Sequence, residues 1–257
     1  MSYIIAEELM KQYGSGDAAV QAVRDMTFQI DAGEFVGVMG ESGAGKSTLL
    51  SMMGAMNAPT SGKYIVDEID VYNLGKEQRA DFRREFLGFV FQSFHLLPYL
   101  TVAENVMLPL TILKASRKKK RVMAEEALDR VGLGGKGKRL PSQISGGEKE
   151  RVAIARAIVN EPPVLLADEP TGNLDTKTTR DIMDLLLKLN AEGMTIVMVT
   201  HSPDCARYAR RILRVSDGLL VEPEGLFVEL THETAGQTPD LAKADDQGIN
   251  VSGKASN

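Results

Sequence analysis

The feature that most constrains the fold is a glycine-rich loop at residues 40–47, which follows a continuous apolar run at residues 35–39. A continuous apolar run is typical of a strand buried in a parallel sheet, and helix-favouring residues occupy positions 47–53 after the loop. Glycines let the backbone wrap closely around an anion, and a following helix directs its positive end to the same place. Strand, loop and helix in this order therefore predict a phosphate-binding loop in an α/β protein.

Charged and hydroxyl side chains extend this prediction to a nucleotide and a metal ion. Lys46 supplies a point charge suited to the outer phosphates, and the hydroxyl of Ser47 suits coordination of Mg²⁺. An acidic pair, Asp168 and Glu169, follows a second apolar run at residues 164–167. Because parallel strands end at one edge of a sheet, we expect Asp168 beside the loop, in direct or indirect contact with Mg²⁺. Glu169 is then placed to polarise a water for in-line attack on a γ-phosphate.

Strand patterns surround a central segment of different character. Residues 26–30 alternate between apolar and polar, as in a half-exposed strand, and residues 87–91 predict a strand that ends at Gln92. From Ser93 to about Asn160 the pattern changes to helical periods separated by glycine-rich turns. We therefore predict a helical subdomain, about residues 93–160, inserted into a core made of residues 1–92 and 161–230.

The C-terminal part returns to strands before the composition changes. Strand patterns occur at residues 164–167 and 195–200 with a helix at 178–189 between them, and residues 212–215 and 219–222 predict a hairpin with a glycine turn. After about residue 230 there are few apolar anchors, so a tail at residues 231–257 is expected to be disordered or loosely held. The ordered part is predicted to be a single domain, residues 1–230.

The charge balance argues against general nucleic-acid binding. The chain of 257 residues has a formal net charge of −5, which gives no attraction to a phosphate backbone. The basic run at residues 117–121 leads into a helical pattern and is interpreted as a solvated helix start. Cys205 is the only cysteine, so no intrachain disulfide is possible. No apolar stretch approaches the roughly 18 residues that span a bilayer, and acidic residues follow Met1 too soon for a signal peptide. We expect a soluble chain that acts at a membrane only through a partner.

Six motifs in order resemble those of the ATP-binding-cassette (ABC) superfamily, and the resemblance covers nearly the whole chain before the tail. Residues 40–48 resemble the Walker A motif, residues 164–169 the Walker B motif, and residues 145–148 (Ser-Gly-Gly-Glu) the family signature. Three further positions match the Q-loop, the D-loop and the switch histidine, namely Gln92, residues 173–175 and His201. Two departures are mild: Ile144 and Glu148 stand where Leu and Gln are usual.

This resemblance implies both the fold and the site. The fold is α/β, a P-loop NTPase of the ABC ATPase type, with a mixed-sheet core, an antiparallel β portion and an inserted helical subdomain. Catalysis is implied to rest on Glu169, His201 and Gln92, and Mg²⁺ binding on Ser47, Gln92 and Asp168. His95 and His232 are assigned no role. Residues implied to bind ATP are Tyr13, which lies where the family stacks an aromatic ring on adenine, Gly40, Glu41, Ser42, Gly43, Ala44, Gly45, Lys46, Ser47, Thr48, Ser145 and Gly147.

The resemblance also implies a homodimer. Two copies would associate head to tail and trap two ATP molecules between them, a closed two-fold arrangement. Ser145 and Gly147 of one copy would then meet the γ-phosphate bound to Lys46 of the other. ATP would hold the dimer together and hydrolysis would release it.

Residues 92–98, 100–106 and 167–175 are similar to the MacB/LolD/FtsE branch of the superfamily. That branch pairs with integral membrane permeases of the FtsX or MacB type and drives export or lipoprotein release. It implies a cytoplasmic protein, peripheral on the inner face of the cytoplasmic membrane, with membrane contact only through the permease and no nucleic-acid partner.

Two alternatives stay open at this point. One is a soluble ABC ATPase that acts on nucleic acid or ribosomes, although such proteins usually carry two cassettes, a long coiled coil or a zinc module. The other is a degenerate cassette that binds ATP without turnover, against which the presence of Glu169 and His201 argues.

Overall fold

The structure is a computed structural model that describes residues 2–221, and the predicted tail at residues 231–257 lies outside them. Two sheets are present in this part of the chain. One has six strands, in the order β10-β9-β3-β8-β7-β6, and the other has four, in the order β2-β1-β4-β5. The mixed core with an antiparallel portion that the sequence predicted is therefore confirmed.

The six-stranded sheet is parallel except for its last strand. The pairs β3–β8, β3–β9, β7–β8 and β6–β7 are parallel, whereas β9 and β10 form the predicted antiparallel hairpin. Its central strands β3, β7 and β8 are mainly apolar and buried at all but the last position of β3 and β7, as expected of a parallel sheet covered on both faces. The strands are β3 Phe35–Met39, β6 Leu87–Val90, β7 Val164–Asp168, β8 Thr195–Val199, β9 Arg211–Ser216 and β10 Leu219–Val221.

The four-stranded sheet is antiparallel and covers one face of the core. Met26, Phe28 and Ile30 are buried on its second strand while their neighbours are exposed, which confirms the alternation seen in the sequence. The other three strands were not predicted, because their mixed polar and apolar residues acquire a buried face only through distant partners such as Ile4 with Val66. The strands are β1 Ser2–Tyr13, β2 Val20–Asp31, β4 Ser61–Val66 and β5 Ile69–Asp70.

Seven α-helices occur within residues 2–221. The helix after the glycine-rich loop begins at Lys46, one residue earlier than expected. The helix predicted at residues 178–189 is longer, because Asp175 accepts a hydrogen bond from the Thr178 backbone N–H and caps it. The helices are α1 Lys46–Met53, α2 Lys76–Phe86, α3 Val102–Met107, α4 Arg117–Arg130, α5 Gly146–Ile158, α6 Thr176–Ala191 and α7 Pro203–Ala206.

Helices α3, α4 and α5 form the predicted helical segment, although its first nine residues, 93–101, contain no helix. These helices pack against one another, and α5 also packs on β6 of the sheet. Leu128 and Ile154 consequently belong to the same hydrophobic cluster as Leu165 and Met198 of the sheet. The segment therefore shares a core with one face of the sheet, and its boundaries at residues 93 and 160 stay a prediction.

In the part of the chain that the structure describes, no helix combines the length and the hydrophobicity needed to cross a bilayer.

Candidate functional site

The strand order places the predicted site residues side by side. Strands β3, β8, β7 and β6 are consecutive neighbours in the sheet, and all four are parallel. The glycine-rich loop follows β3, His201 follows β8, Glu169 follows β7 and Gln92 follows β6. Because neighbouring strands are about 4.8 Å apart, the four segments line one edge of the sheet within a short distance.

The glycine-rich loop is fixed by backbone contacts on two sides. Gly45 has φ of 101°, and a Cβ at this position would lie 2.1 Å from the carbonyl oxygen of Ala22 on β2. Only glycine fits this close approach. On the other side, Gly218 in the hairpin turn donates its backbone N–H to the carbonyl of Ala44 at 3.0 Å. The loop is therefore held open at the N-terminus of α1 as a preformed anion site.

Lys46 lies over this loop and is 7% exposed. Its ammonium group donates to the carbonyl oxygens of Gly40 at 2.9 Å and Glu41 at 2.7 Å. Within residues 2–221 no carboxylate lies within ion-pair distance of it. The positive charge is thus desolvated and satisfied only by carbonyl dipoles, which leaves it available to a phosphate group.

Ser47 and Asp168 come together across the edge of the sheet. The Ser47 hydroxyl lies close enough to the Asp168 carboxylate to favour its charged form. Burial and the neighbouring Glu169 raise the pKa of Asp168, while the Ser47 hydroxyl and the charge of Lys46 lower it. Hydroxyl and carboxylate oxygens are ligands that Mg²⁺ prefers.

Glu169 is the point on which three motifs converge. Its Oε2 atom lies 2.8 Å from Nδ1 of His201 and accepts a hydrogen bond from Nε2 of Gln92 at 3.4 Å. Its backbone is left-handed, with φ of 47°, and its N–H donates to the carbonyl of Val199 at 2.9 Å. A non-glycine residue held in this conformation at the end of a buried strand is typical of a functional site.

The D-loop segment joins this cluster. Asn173 donates its side-chain amide to the carbonyl of Gln92 at 3.1 Å. Thr171 contacts the buried sulfur of Cys205 at 3.2 Å. A cleft of about 520 Å³ opens beside Glu169 and His201. The segments after β6, β7 and β8 thus form one hydrogen-bonded unit.

Ser145 and Gly147 lie at the start of α5. Ser145 caps α5, accepting from the backbone N–H of Glu148 at 3.2 Å, while the Glu148 side chain accepts from the Ser145 N–H at 2.8 Å. Lys136 pairs with Glu148 and, together with this cap, lowers the pKa of Glu148 to about 2. A Cβ at Gly147 would lie 2.3 Å from Cγ2 of Thr178, so the signature packs against the start of α6.

Tyr13 ends β1, opposite Val20 on β2. Its hydroxyl accepts a hydrogen bond from the Asn57 side chain, and the Lys11 ammonium lies 5.2 Å from its ring centroid. The ring is 43% exposed. Because β2 also carries Ala22, which contacts the glycine-rich loop, Tyr13 lies on the strand pair that flanks this loop.

Two polar residues of this region, one fully buried and one partly buried, were missed by the sequence interpretation. Asn105, which is fully buried, exchanges hydrogen bonds with both backbone groups of Leu97. Arg156 on α5 donates to two carbonyls just after Gln92. In the sequence, each of these residues is visible only as a polar residue within an apolar helical pattern. Such a pattern does not reveal which backbone groups the side chain binds.

Comparison with known proteins agrees with these features. Residues 23–172 match the family model described as ABC transporter. YvrO of Bacillus subtilis, an uncharacterized ABC transporter ATP-binding protein, is 47% identical over 216 residues, which are 84% of this chain and 94% of YvrO. The macrolide export ATP-binding/permease protein MacB of Rhodopirellula baltica is 47% identical over 218 residues. That match covers 83% of this chain but 32% of MacB, so the chain spans about a third of MacB's length.

A solved structure shows the same fold. The dimeric post-hydrolysis state of the ATP-binding cassette MJ0796, bound to ADP and Pi, superposes with a TM-score of 0.78 at 41% sequence identity. The superposition covers 85% of this chain and 97% of that one.

Proposed function

The chain belongs to the ABC transporter family, as an ATP-binding subunit with ATPase activity. We propose that two copies of it close around two ATP molecules and thereby drive a membrane permease of the FtsX or MacB type. The observation that carries this proposal is the convergence of Gln92 and His201 on one oxygen of Glu169, beside the phosphate loop. This is the arrangement needed to activate a water next to a bound γ-phosphate.

In the proposed reaction Glu169 accepts a proton from the attacking water. Its carboxylate is only 18% exposed and one of its oxygens already has two partners, so its orientation is fixed before ATP binds. His201 holds that carboxylate and contacts the γ-phosphate. Lys46 neutralises charge on the outer phosphates, and the loop at residues 40–48 holds them with backbone N–H groups.

The residues at the sheet edge fit Mg²⁺. Ser47 and Asp168 provide a hydroxyl and a carboxylate that lie near each other, and the amide oxygen of Gln92 is a third ligand of the same chemical kind. Mg²⁺ is commonly held by one or two carboxylates together with substrate phosphates, so a small set of protein ligands suffices. The ion would neutralise charge that develops on the phosphates.

Ser145 and Gly147 are proposed to complete the site of the second copy. Ser145 is exposed and Gly147 is partly exposed, so both can face a neighbour. The structurally similar cassette MJ0796 is dimeric with ADP and Pi, which supports a nucleotide-bound homodimer. Tyr13, on the strand pair beside the loop, would stack on adenine.

The membrane partner is proposed from the relatives. MacB joins an ATP-binding part and a permease part by name, and this chain matches 32% of it. A separate permease of the same type would supply the membrane part, which would place the chain on the inner face of the cytoplasmic membrane. Export or lipoprotein release would then follow from motion of the ATP-bound dimer.

The deciding experiment has two parts. The purified chain is assayed for ATP hydrolysis with and without Mg²⁺, alone and after co-expression with a candidate FtsX-like permease. We expect Mg²⁺-dependent hydrolysis, a stable complex with the permease in detergent, and a rate that changes in the complex. Hydrolysis without any complex formation would contradict the permease assignment, and absence of hydrolysis in both preparations would contradict the proposal as a whole.

A further inference from the structure

Arg156 on α5 connects the signature helix to the segment that follows Gln92. Its Nη1 donates to the carbonyl oxygen of His95 at 2.6 Å, and its Nη2 donates to that of Phe94 at 2.7 Å. These are short, charge-assisted hydrogen bonds made by the two terminal nitrogens of one planar group. Across residues 2–221, no carboxylate lies within ion-pair distance of Arg156. The hydrogen bonds described for the guanidinium are therefore those to these two carbonyls, and the buried Glu150 on the same helix interacts with its charge without a hydrogen bond.

The backbone that Arg156 holds is in an uncommon conformation. Phe94 and His95 are consecutive non-glycine residues with positive φ, 52° and 46°. Two adjacent side-chain-bearing residues in the left-handed region persist only where the surroundings enforce it. The Phe91 ring makes an edge contact with the His95 ring, 4.9 Å between centroids, and closes the turn from the other side.

The same segment is tied to the catalytic cluster through Gln92. The Gln92 carbonyl accepts from Asn173, and the Gln92 amide donates to Glu169. A displacement of residues 94 and 95 would therefore be transmitted to Gln92, two residues away. No other residue of α5 has a described hydrogen bond to the turn at residues 91–95.

Helix α5 begins next to Ser145, at the surface proposed to meet the second copy. It has 13 residues, so it is a rigid rod about 20 Å long. Arg156 lies in its last turn and Ser145 caps its first turn. If one end of α5 moves, the other end therefore moves with it.

We propose that Arg156 is a positioning residue that couples the signature helix to Gln92, so that engagement of Ser145 with the nucleotide of one site sets the position of Gln92 at the other. This inference rests on the proposed function, because it assumes that Gln92 acts in hydrolysis and that Ser145 meets a second copy. Arginine is required because its planar fork reaches both carbonyls at once, whereas lysine presents a single ammonium.

The test is a double-mutant cycle on the full-length chain, with ATP hydrolysis as the readout. The variants are Arg156→Lys, Gln92→Ala and the pair of both. The matched control is Arg151→Lys, because Arg151 is on the same helix and donates to carbonyls of Val131 and Asp181, away from Gln92. Apparent KM for ATP and the melting temperature are measured for every variant.

We expect Arg156→Lys to lower kcat about tenfold or more, with KM and the melting temperature changed no more than in Arg151→Lys. In the Gln92→Ala background, Arg156→Lys should have little further effect, because its action passes through Gln92. Additive losses in the double variant would overturn the inference, as would an unchanged kcat in Arg156→Lys.

A second variant guards against loss of folding. Arg156→Gln removes the charge but keeps a hydrogen-bond donor. Its folding is compared with that of the parent by circular dichroism, and its ATP affinity is also compared, before its kcat is interpreted. A folded Arg156→Gln protein with parental kcat would also overturn the inference. Two other results would refute the proposed function itself: no ATP hydrolysis by the parent, or a parental kcat in Gln92→Ala. In either case the assignment of the site is wrong, and the proposed coupling, which depends on that site, is wrong as well.

Discussion

Nδ1 of His201 lies 2.8 Å from Oε2 of Glu169, although the two residues follow different strands and are separated by 31 intervening positions. The histidine side chain is 66% exposed, whereas that of the glutamate is 18% exposed. One partner is therefore mostly shielded and oriented, and the other faces the solvent, where a substrate arrives. This asymmetry suits a shielded base whose orientation is held by a residue that also contacts the substrate.

The first prediction concerns Glu169. Glu169→Gln keeps the shape of the side chain but removes its ability to accept a proton. We expect turnover to fall by about two orders of magnitude or more, while ATP binding persists and an ATP-bound dimer accumulates. Steady-state hydrolysis and light scattering after gel filtration measure the two effects. Glu192→Gln, at the C-terminal end of α6, is the control, and parental turnover in Glu169→Gln would refute the assignment of the base.

The second prediction separates catalysis from folding at His201. Because the side chain is mostly exposed, His201→Ala should change the free energy of unfolding by less than about 0.5 kcal/mol. It should nevertheless lower kcat about tenfold or more, since Glu169 loses the partner that orients it. Urea denaturation and hydrolysis are measured on the same preparation. A large loss of stability with unchanged kcat would show a structural role instead.

The third prediction tests the phosphate loop. Lys46→Ala removes a buried cation that is held only by the loop carbonyls, so ATP affinity should fall about 10- to 100-fold. Titration with a fluorescent ATP analogue measures the affinity. Lys63→Ala is the control, since that lysine is 64% exposed on β4. Unchanged ATP affinity in Lys46→Ala would rule out this loop as the phosphate site.

The fourth prediction tests the contribution of Ser145 to a second copy. Ser145→Arg should leave ATP binding by the monomer unchanged but prevent the ATP-dependent dimer in the Glu169→Gln background. The variant also removes a helix cap, so Ser116→Arg, which removes the cap of α4, serves as the control. Gly147 is a poorer target, because any side chain there clashes with Thr178 within the same chain. A dimer that still forms with Ser145→Arg would contradict the proposed interface.

The fifth prediction follows from Glu150 on α5, which is fully buried and has no hydrogen-bond partner for either carboxylate oxygen. Burial raises its pKa to about 8, above the ordinary value of 4.5. Between these two values the folded chain keeps a proton that the unfolded chain has released. Stability is therefore lost as the pH rises through this window, by on the order of 1 kcal/mol per pH unit.

Glu150→Gln removes this titration. The variant should gain stability over the parent as the pH rises from 5 to 7.5, and the gain should level off near pH 8. Urea denaturation at several pH values measures it, with Glu85→Gln on the surface as the control. If the difference between Glu150→Gln and the parent were the same at every pH, the carboxyl would not be held in its neutral form.

Much of the fold was predictable from local patterns. The apolar run before the loop and the one before Asp168 gave β3 and β7, because strands buried on both faces leave an unbroken apolar signal. Strand β1 and helix α2 have no comparable pattern in the sequence, so neither was predicted. β1 acquires its buried side only through pairing with β2 and β4, and no local pattern contains that pairing.

The site shows the same division. Gln92, Glu169 and His201 were each predictable as residues at the end of a strand, and the family resemblance implied their catalytic roles, but their meeting at one oxygen of Glu169 was not predicted. Arg156 was not predictable at all. Its two acceptors are backbone carbonyls some 60 positions away, and a carbonyl has no signature in the sequence.

The sequence by itself determined the order of the motifs and the chemistry of each side chain, because strand, loop and helix preferences act over a few neighbouring residues. The tertiary structure decided which of these side chains meet. Strands β6, β7 and β8 lie side by side, and this adjacency brings Gln92, Glu169 and His201 together. Packing of α5 on β6 similarly brings Arg156 to the turn after Gln92. Such adjacency depends on the burial of whole surfaces, a property of the folded chain rather than of any one segment.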